Sequence, residues 1–166
     1  MAEFPRTLKI ATVWLLLGLA VFLGFRALEA QQQRSRFSAD GGTLEMRRAA
    51  DGHYHWPGRL SGPGGTVEVD FLVDTGATRS AISADLARTL GLEAIAQVQS
   101  HTAGGRVSGS VARADLALAG GVRVERLPLV VLPALGDKPL LGMDVLGRLR
   151  WQQQGGVLRV EAHTAR

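Results

Sequence analysis

With 166 residues, the chain has room for one modest domain and an appendage rather than for two lobes. It has no cysteine, which excludes a disulfide framework and a thiolate metal site, and its 21 glycines suit a turn-rich β domain better than a helical bundle. The formal charge of +4 sits near the start: residues 1–48 carry seven Lys/Arg against four Asp/Glu, residues 49–166 twelve against eleven, with no basic stripe for nucleic acid.

Residues 1–9 are a short lead carrying Arg6 and Lys9, and Ile10 to Phe25 contains no charge. Extended by the snorkelling stem of Arg26, residues 10–28 predict a transmembrane anchor. The rival is a signal peptide cleaved after Leu28-Glu29-Ala30. A buried core helix fits less well, because the stretch is apolar on all faces. Flanking charges are nearly balanced, and a single N-terminal hydrophobic segment more often delivers its domain outside. Residues 29–48 read as a flexible tether, since Gln31 to Gly42 has almost no apolar content, and Thr43 to Ala50 as an ambiguous extended lead-in.

From residue 49 the pattern is strand, turn, strand. His53-Tyr54-His55-Trp56 alternates, Gly62-Pro63-Gly64-Gly65 is a turn, and Val67 to Val73 is rich in β-branched residues, which makes a hairpin. Its second arm ends on Asp74-Thr75-Gly76. A carboxylate at the end of an apolar strand is costly unless it is hydrogen-bonded or shares a proton, which marks Asp74 as a functional candidate. The plain structural alternative is an Asx-type turn.

Ser80-Ala81-Ile82 is short and extended, and Ser83 caps a helix through Asp85 to Leu90 that ends at Gly91. Two β arms follow, Ala96 to Thr102 and Val107 to Leu118, joined by Ala103-Gly104-Gly105-Arg106. Gly120-Gly121 turns into Val122 to Leu132, whose apolar face is Val122, Val124, Leu127, Leu129 and Val131. Pro133 to Pro139 is a loop, Leu140-Leu141-Gly142 follows, Met143 to Leu149 reads as a short helix, and a hairpin about Gly155-Gly156 closes the chain. There is no internal repeat and one Asp-Thr-Gly.

Phe71-Leu72-Val73-Asp74-Thr75-Gly76-Ala77 resembles the active-site signature of retropepsin-like (clan AA) aspartic proteases, above all bacterial single-domain members with an N-terminal anchor. The order of Asp74-Thr75-Gly76, a glycine-tipped hairpin at Gln99 to Ser108, and Leu140-Leu141-Gly142 is similar to that family's catalytic loop, flap and apolar-apolar-Gly element. The resemblance implies an all-β fold for residues 49–166, a closed β-barrel half with one or two short helices. It implies peptide-bond hydrolysis by an endopeptidase with Asp74, Thr75 and Gly76 in the catalytic loop, and Ala77, Ala103, Gly104, Gly105, Arg106, Leu141 and Gly142 about the substrate. No metal or cofactor is implied. One Asp cannot both activate water and protonate the carbonyl, so the second comes from an identical chain, making the partners a peptide or protein substrate, a homodimer and the membrane. With the bacterial source the resemblance suggests, the location is the inner membrane, single-pass, with the domain periplasmic. Viral members usually place Arg after the later glycine; here Met143 and then Asp144 follow Gly142.

Two other hydrolytic chemistries fit less well. His53, His55 and His101 suggest a metal, but His-x-His on a strand is usually polar alternation. A Ser/His/Asp hydrolase lacks its Gly-x-Ser-x-Gly elbow. The alternative from another class is a non-proteolytic, membrane-anchored peptide-binding or dimerisation module on the same fold.

Overall fold

The computed structural model describes residues 6–32, 35–102 and 105–163, in two units divided between Arg34 and Ser35. The first unit holds α1 (Arg6–Gln32). Its described side chains from Trp14 to Phe25 include Trp14, Leu16, Leu19, Phe22 and Phe25, all exposed, and the Arg26 guanidinium lies 6.0 Å from the Phe22 ring. Residues 14–26 amount to about 20 Å of helix at ~1.5 Å per residue. Among the described residues no helix is long and apolar enough to cross a membrane.

The second unit is predominantly β. Its strands are β1 (Arg36–Arg47), β2 (His55–Gly62), β3 (Gly65–Val73), β4 (Ala81–Ser83), β5 (Ala96–Thr102), β6 (Gly105–Leu118), β7 (Val122–Leu132), β8 (Leu140–Leu141), β9 (Arg150–Gln154) and β10 (Val157–His163). Two short helices, α2 (Ala84–Thr89) and α3 (Met143–Leu146), interrupt them. The hydrogen-bonded order is β5-β6-β2-β3-β8-β4-β7-β1-β10-β9, and β6 also pairs β7. Ser83 caps α2 as its sequence predicts, its hydroxyl accepting the Leu86 amide at 3.2 Å. α3 ends at Leu146 rather than Leu149, and Leu149 turns into the core.

The hairpin β2–β3 sets Trp56 opposite Phe71, both fully buried, and the Trp56 indole N–H donates to the Ala119 carbonyl at 2.9 Å. Truncating either ring would cost roughly 3–5 kcal/mol, which makes the pair a main anchor of the strand that ends on Asp74.

The expected tether needs correction, because residues 36–47 form β1. Arg36 to Ala39 pair with Glu125 to Val122, and Thr43 to Arg47 with Glu161 to Val157. Its inward positions are Phe37 and Ala39, then Leu44 and Met46, so the alternation changes phase at the irregularity between Asp40 and Thr43. Averaged composition hides such a strand, since a one-residue slip moves every side chain to the other face. β7 does the same. Val122 and Val124 point inward, then Leu127, Leu129 and Val131, and Arg126 takes up the step at φ 54°, its amide bound to Asp115 Oδ1 at 2.7 Å.

Candidate active site

β3 delivers Asp74 because its last residues run parallel to β8, Leu72 beside Leu140 and Val73 beside Leu141. The Leu72 amide donates to the Pro139 carbonyl at 2.9 Å, that of Val73 to Tyr54 at 2.9 Å, and that of Asp74 to Leu141 at 3.0 Å. The chain then turns, with the Ala77 amide on the Asp74 carbonyl at 3.3 Å and the Gly76 amide on Asp74 Oδ1 at 2.8 Å. The Asx-type turn is therefore present, and it fixes one carboxylate oxygen. Among the described residues Oδ2 has no donor. Asp74 is half-buried, and Thr75 and Gly76 are exposed.

The far side of the loop is fastened to the start of α3. The Met143 amide donates to the Ala77 carbonyl at 2.9 Å and the Asp144 amide to Thr78 at 3.2 Å. Gly142 is required there, since a Cβ would stand 2.6 Å from the Arg79 carbonyl carbon and 2.9 Å from the Ala77 oxygen. Ser80 is fully buried, and its amide and hydroxyl both donate to the Asp144 carboxylate.

A cavity of about 210 Å³ holds Asp74 and Thr75 together with Tyr54, His53 and Trp151. The Tyr54 hydroxyl is buried with no partner among the described residues. Clefts of about 400 and 580 Å³ lie against other faces of the hairpin and do not include Asp74, so volume alone would misplace the site.

The structure brings Asp74, Thr75, Gly76, Ala77, Leu141 and Gly142 into one neighbourhood. Leu141 is fully buried and Gly142 is packed on the loop backbone, where both hold the loop. Ala103 and Gly104 lie outside the described residues. Gly105, at φ 110°, and Arg106 are exposed at the start of β6. The root of that hairpin joins the site region through a small apolar cluster in which Val98 and Val107 pack with Ala81, Val130 and Leu132 beside Leu140.

Of the histidines suggested for a metal, His55 has both ring nitrogens occupied, Nε2 by Asp51 at 2.8 Å and Nδ1 by Asp70 at 3.0 Å. Asp51 also accepts the His53 amide at 3.0 Å and lies 3.6 Å from Lys138 Nζ. The His53 amide first, then His55, draws the Asp51 carboxyl down from 3.8 to about 2. Sequence reasoning named Ser80, Asp144 and Tyr54 without giving them a part in the site. The available signal for the first two was one polar residue on each side of apolar elements that flank a predicted site.

A predominantly β domain in which an Asp-Thr-Gly turn is clamped by a short parallel strand has the topology of retropepsin-like aspartic proteases. The crystal structure of a retropepsin-like aspartic protease from Rickettsia conorii matches it with a TM-score of 0.57 over 78% of this chain and 98% of that one; at 20% identity the likeness is one of fold. The protein-family model described as aspartyl protease matches residues 56–145, more than half of the chain. The chain therefore belongs to the aspartyl protease family, a family of hydrolases. No curated protein matches it.

Proposed function

We propose that this protein is a membrane-anchored aspartic endopeptidase that acts as a homodimer. The observation that carries the reading is Asp74 itself: a half-buried carboxylate at a strand end, one oxygen held by the Gly76 amide and the other without a protein donor among the described residues. Each chain has one Asp-Thr-Gly, so two chains across a two-fold axis supply the pair. Two adjacent carboxylates share one proton and titrate as a unit. The ionised Asp74 takes a proton from water as it adds to the scissile carbonyl, and the protonated Asp74 gives its proton to the carbonyl oxygen. Collapse of the resulting diol breaks the C–N bond, with a proton passing to the leaving nitrogen.

In this reading the Thr75 hydroxyl bonds across the dimer axis, and the Gly76 amide orients the carboxylate. Ala77 borders the bound peptide, and the hairpin tip, Ala103 to Arg106, closes over it as over an added strand. The pairing of β6 with β7, together with the order β6-β2-β3-β8-β4-β7, supports a closed barrel half. The uncharged stretch Ile10 to Phe25 within α1 supports an uncleaved inner-membrane anchor with the domain periplasmic, and confinement to a membrane raises the concentration that favours pairing.

The test is cleavage of a peptide library by the full chain in detergent, beside Asp74→Asn, from pH 4 to 7. Cleavage by the parent and a loss of about 10²–10⁴-fold in the variant are expected. Equal cleavage by both would place the chemistry elsewhere. Silence from a dimeric parent would favour the peptide-binding module.

A further inference from the structure

We infer that Asp144 is a positioning residue for the Asp74 loop, an inference that rests on the protease reading and extends it. The Asp144 carboxylate accepts the Ser80 amide at 3.0 and 3.1 Å to its two oxygens and the Ser80 hydroxyl at 2.8 Å. The same hydroxyl oxygen accepts the Gly142 amide at 3.1 Å. A carboxylate can only accept, so it draws the Ser80 hydroxyl proton toward itself and leaves that oxygen's lone pair for Gly142. The chain of bonds therefore has a fixed direction, from Gly142 through Ser80 to Asp144.

That direction matters because of what Gly142 adjoins. The preceding residue, Leu141, holds the Asp74 amide through its carbonyl at 3.0 Å. Backbone amides of Met143 and Asp144 hold the carbonyls of Ala77 and Thr78. The Asp74-to-Ser80 loop is thus fastened at both ends to one short segment, residues 141–144, and the Asp144–Ser80 bonds lock that segment to the loop. Between those ends Thr75, Gly76, Thr78 and Arg79 are exposed and gain little from packing. Two carboxylates share a proton only within narrow limits of distance, and a displacement of ~1 Å can cost on the order of 10²-fold in rate.

The experiment measures peptide hydrolysis by the full chain in detergent for Asp144→Ala, Asp144→Asn, Ser80→Ala and the double alanine variant, with amide hydrogen exchange on each. Asp144→Ala should lower kcat on the order of 10²-fold with KM within about threefold. Asp144→Asn, whose amide oxygen still accepts from Ser80, should recover to within about tenfold of the parent. The double variant should be no worse than the poorer single one, because both remove one unit. Exchange at the Asp74 and Gly142 amides should quicken in Asp144→Ala, while core amides such as that of Leu129 stay protected. Unchanged kcat, a rise in KM alone, or an asparagine variant as slow as the alanine one would overturn the inference. If the parent cleaves no peptide, the protease reading falls, and exchange alone then decides: quickened loop amides support positioning by Asp144, unchanged ones overturn it. If Asp144→Ala does not fold, Asp144→Asn and Ser80→Ala carry the same comparison.

Discussion

Two kinds of carboxylate lie at the open end of the β2–β3 hairpin, and their surroundings differ. Just before β2, Asp51 accepts from the His53 amide and the His55 ring with Lys138 beside it; on β3, Asp70 takes the other His55 nitrogen. At its end, Asp74 has the Gly76 amide and no donor on its second oxygen among the described residues. Asp51, with donors on both oxygens and its carboxyl drawn down to about 2, serves as a tie between segments. Asp74, with an open oxygen beside an exposed turn, keeps an acceptor position for a further donor. The difference lies in the neighbours, since the residue type is the same.

The largest expected effect concerns the need for a second copy. Mixing the parent with a ninefold excess of Asp74→Asn and allowing chains to exchange should cut activity per parent chain by about tenfold, since most parent chains then face an inert partner. Undiminished activity would show that one carboxylate suffices. Next is Gly142→Ala, which drives a methyl into the backbone of Arg79 and Ala77. It should destabilise the domain by about 1–3 kcal/mol in denaturant titration and abolish cleavage.

His55→Ala tests the other side of the comparison. It should lower Tm by no more than ~5 °C and leave kcat unchanged, because the paired carboxylates of Asp51 and Asp70 are half-exposed and its bonds lie outside the Asp74 loop. The smallest effect is the pH dependence of Asp51. Its folded value, about 2, lies below the ordinary 3.8, so its contribution is complete above about pH 4 and is lost as pH falls toward 2. Asp51→Asn should therefore flatten the acid limb of a stability-against-pH curve over that interval.

Much of this was legible in the chain itself. The turn at Gly62 to Gly65, the cap at Ser83, the arms of β5 to β7 and the strand leading to Asp74 all follow from alternation and turn chemistry. Strand β1 did not, because its two short alternating runs are out of phase across Gly41-Gly42, and only pairing with β7 and β10 makes them one strand. β7 carries a similar step at Arg126, and there its apolar content kept the strand visible.

The sequence by itself determined that a β hairpin would carry an aspartate to an exposed turn, since local propensity, alternation and the Asp-Thr-Gly triplet all lie within a short stretch. The tertiary structure decided what holds that turn. Ser80 and Asp144 are 64 positions apart, and nothing in their local sequences specifies a bond between them. They meet because β3 and β8 pair in parallel, an arrangement that requires a long connection between the strands. A hydrogen bond acts over about 3 Å, and only the folded backbone brings distant residues that close.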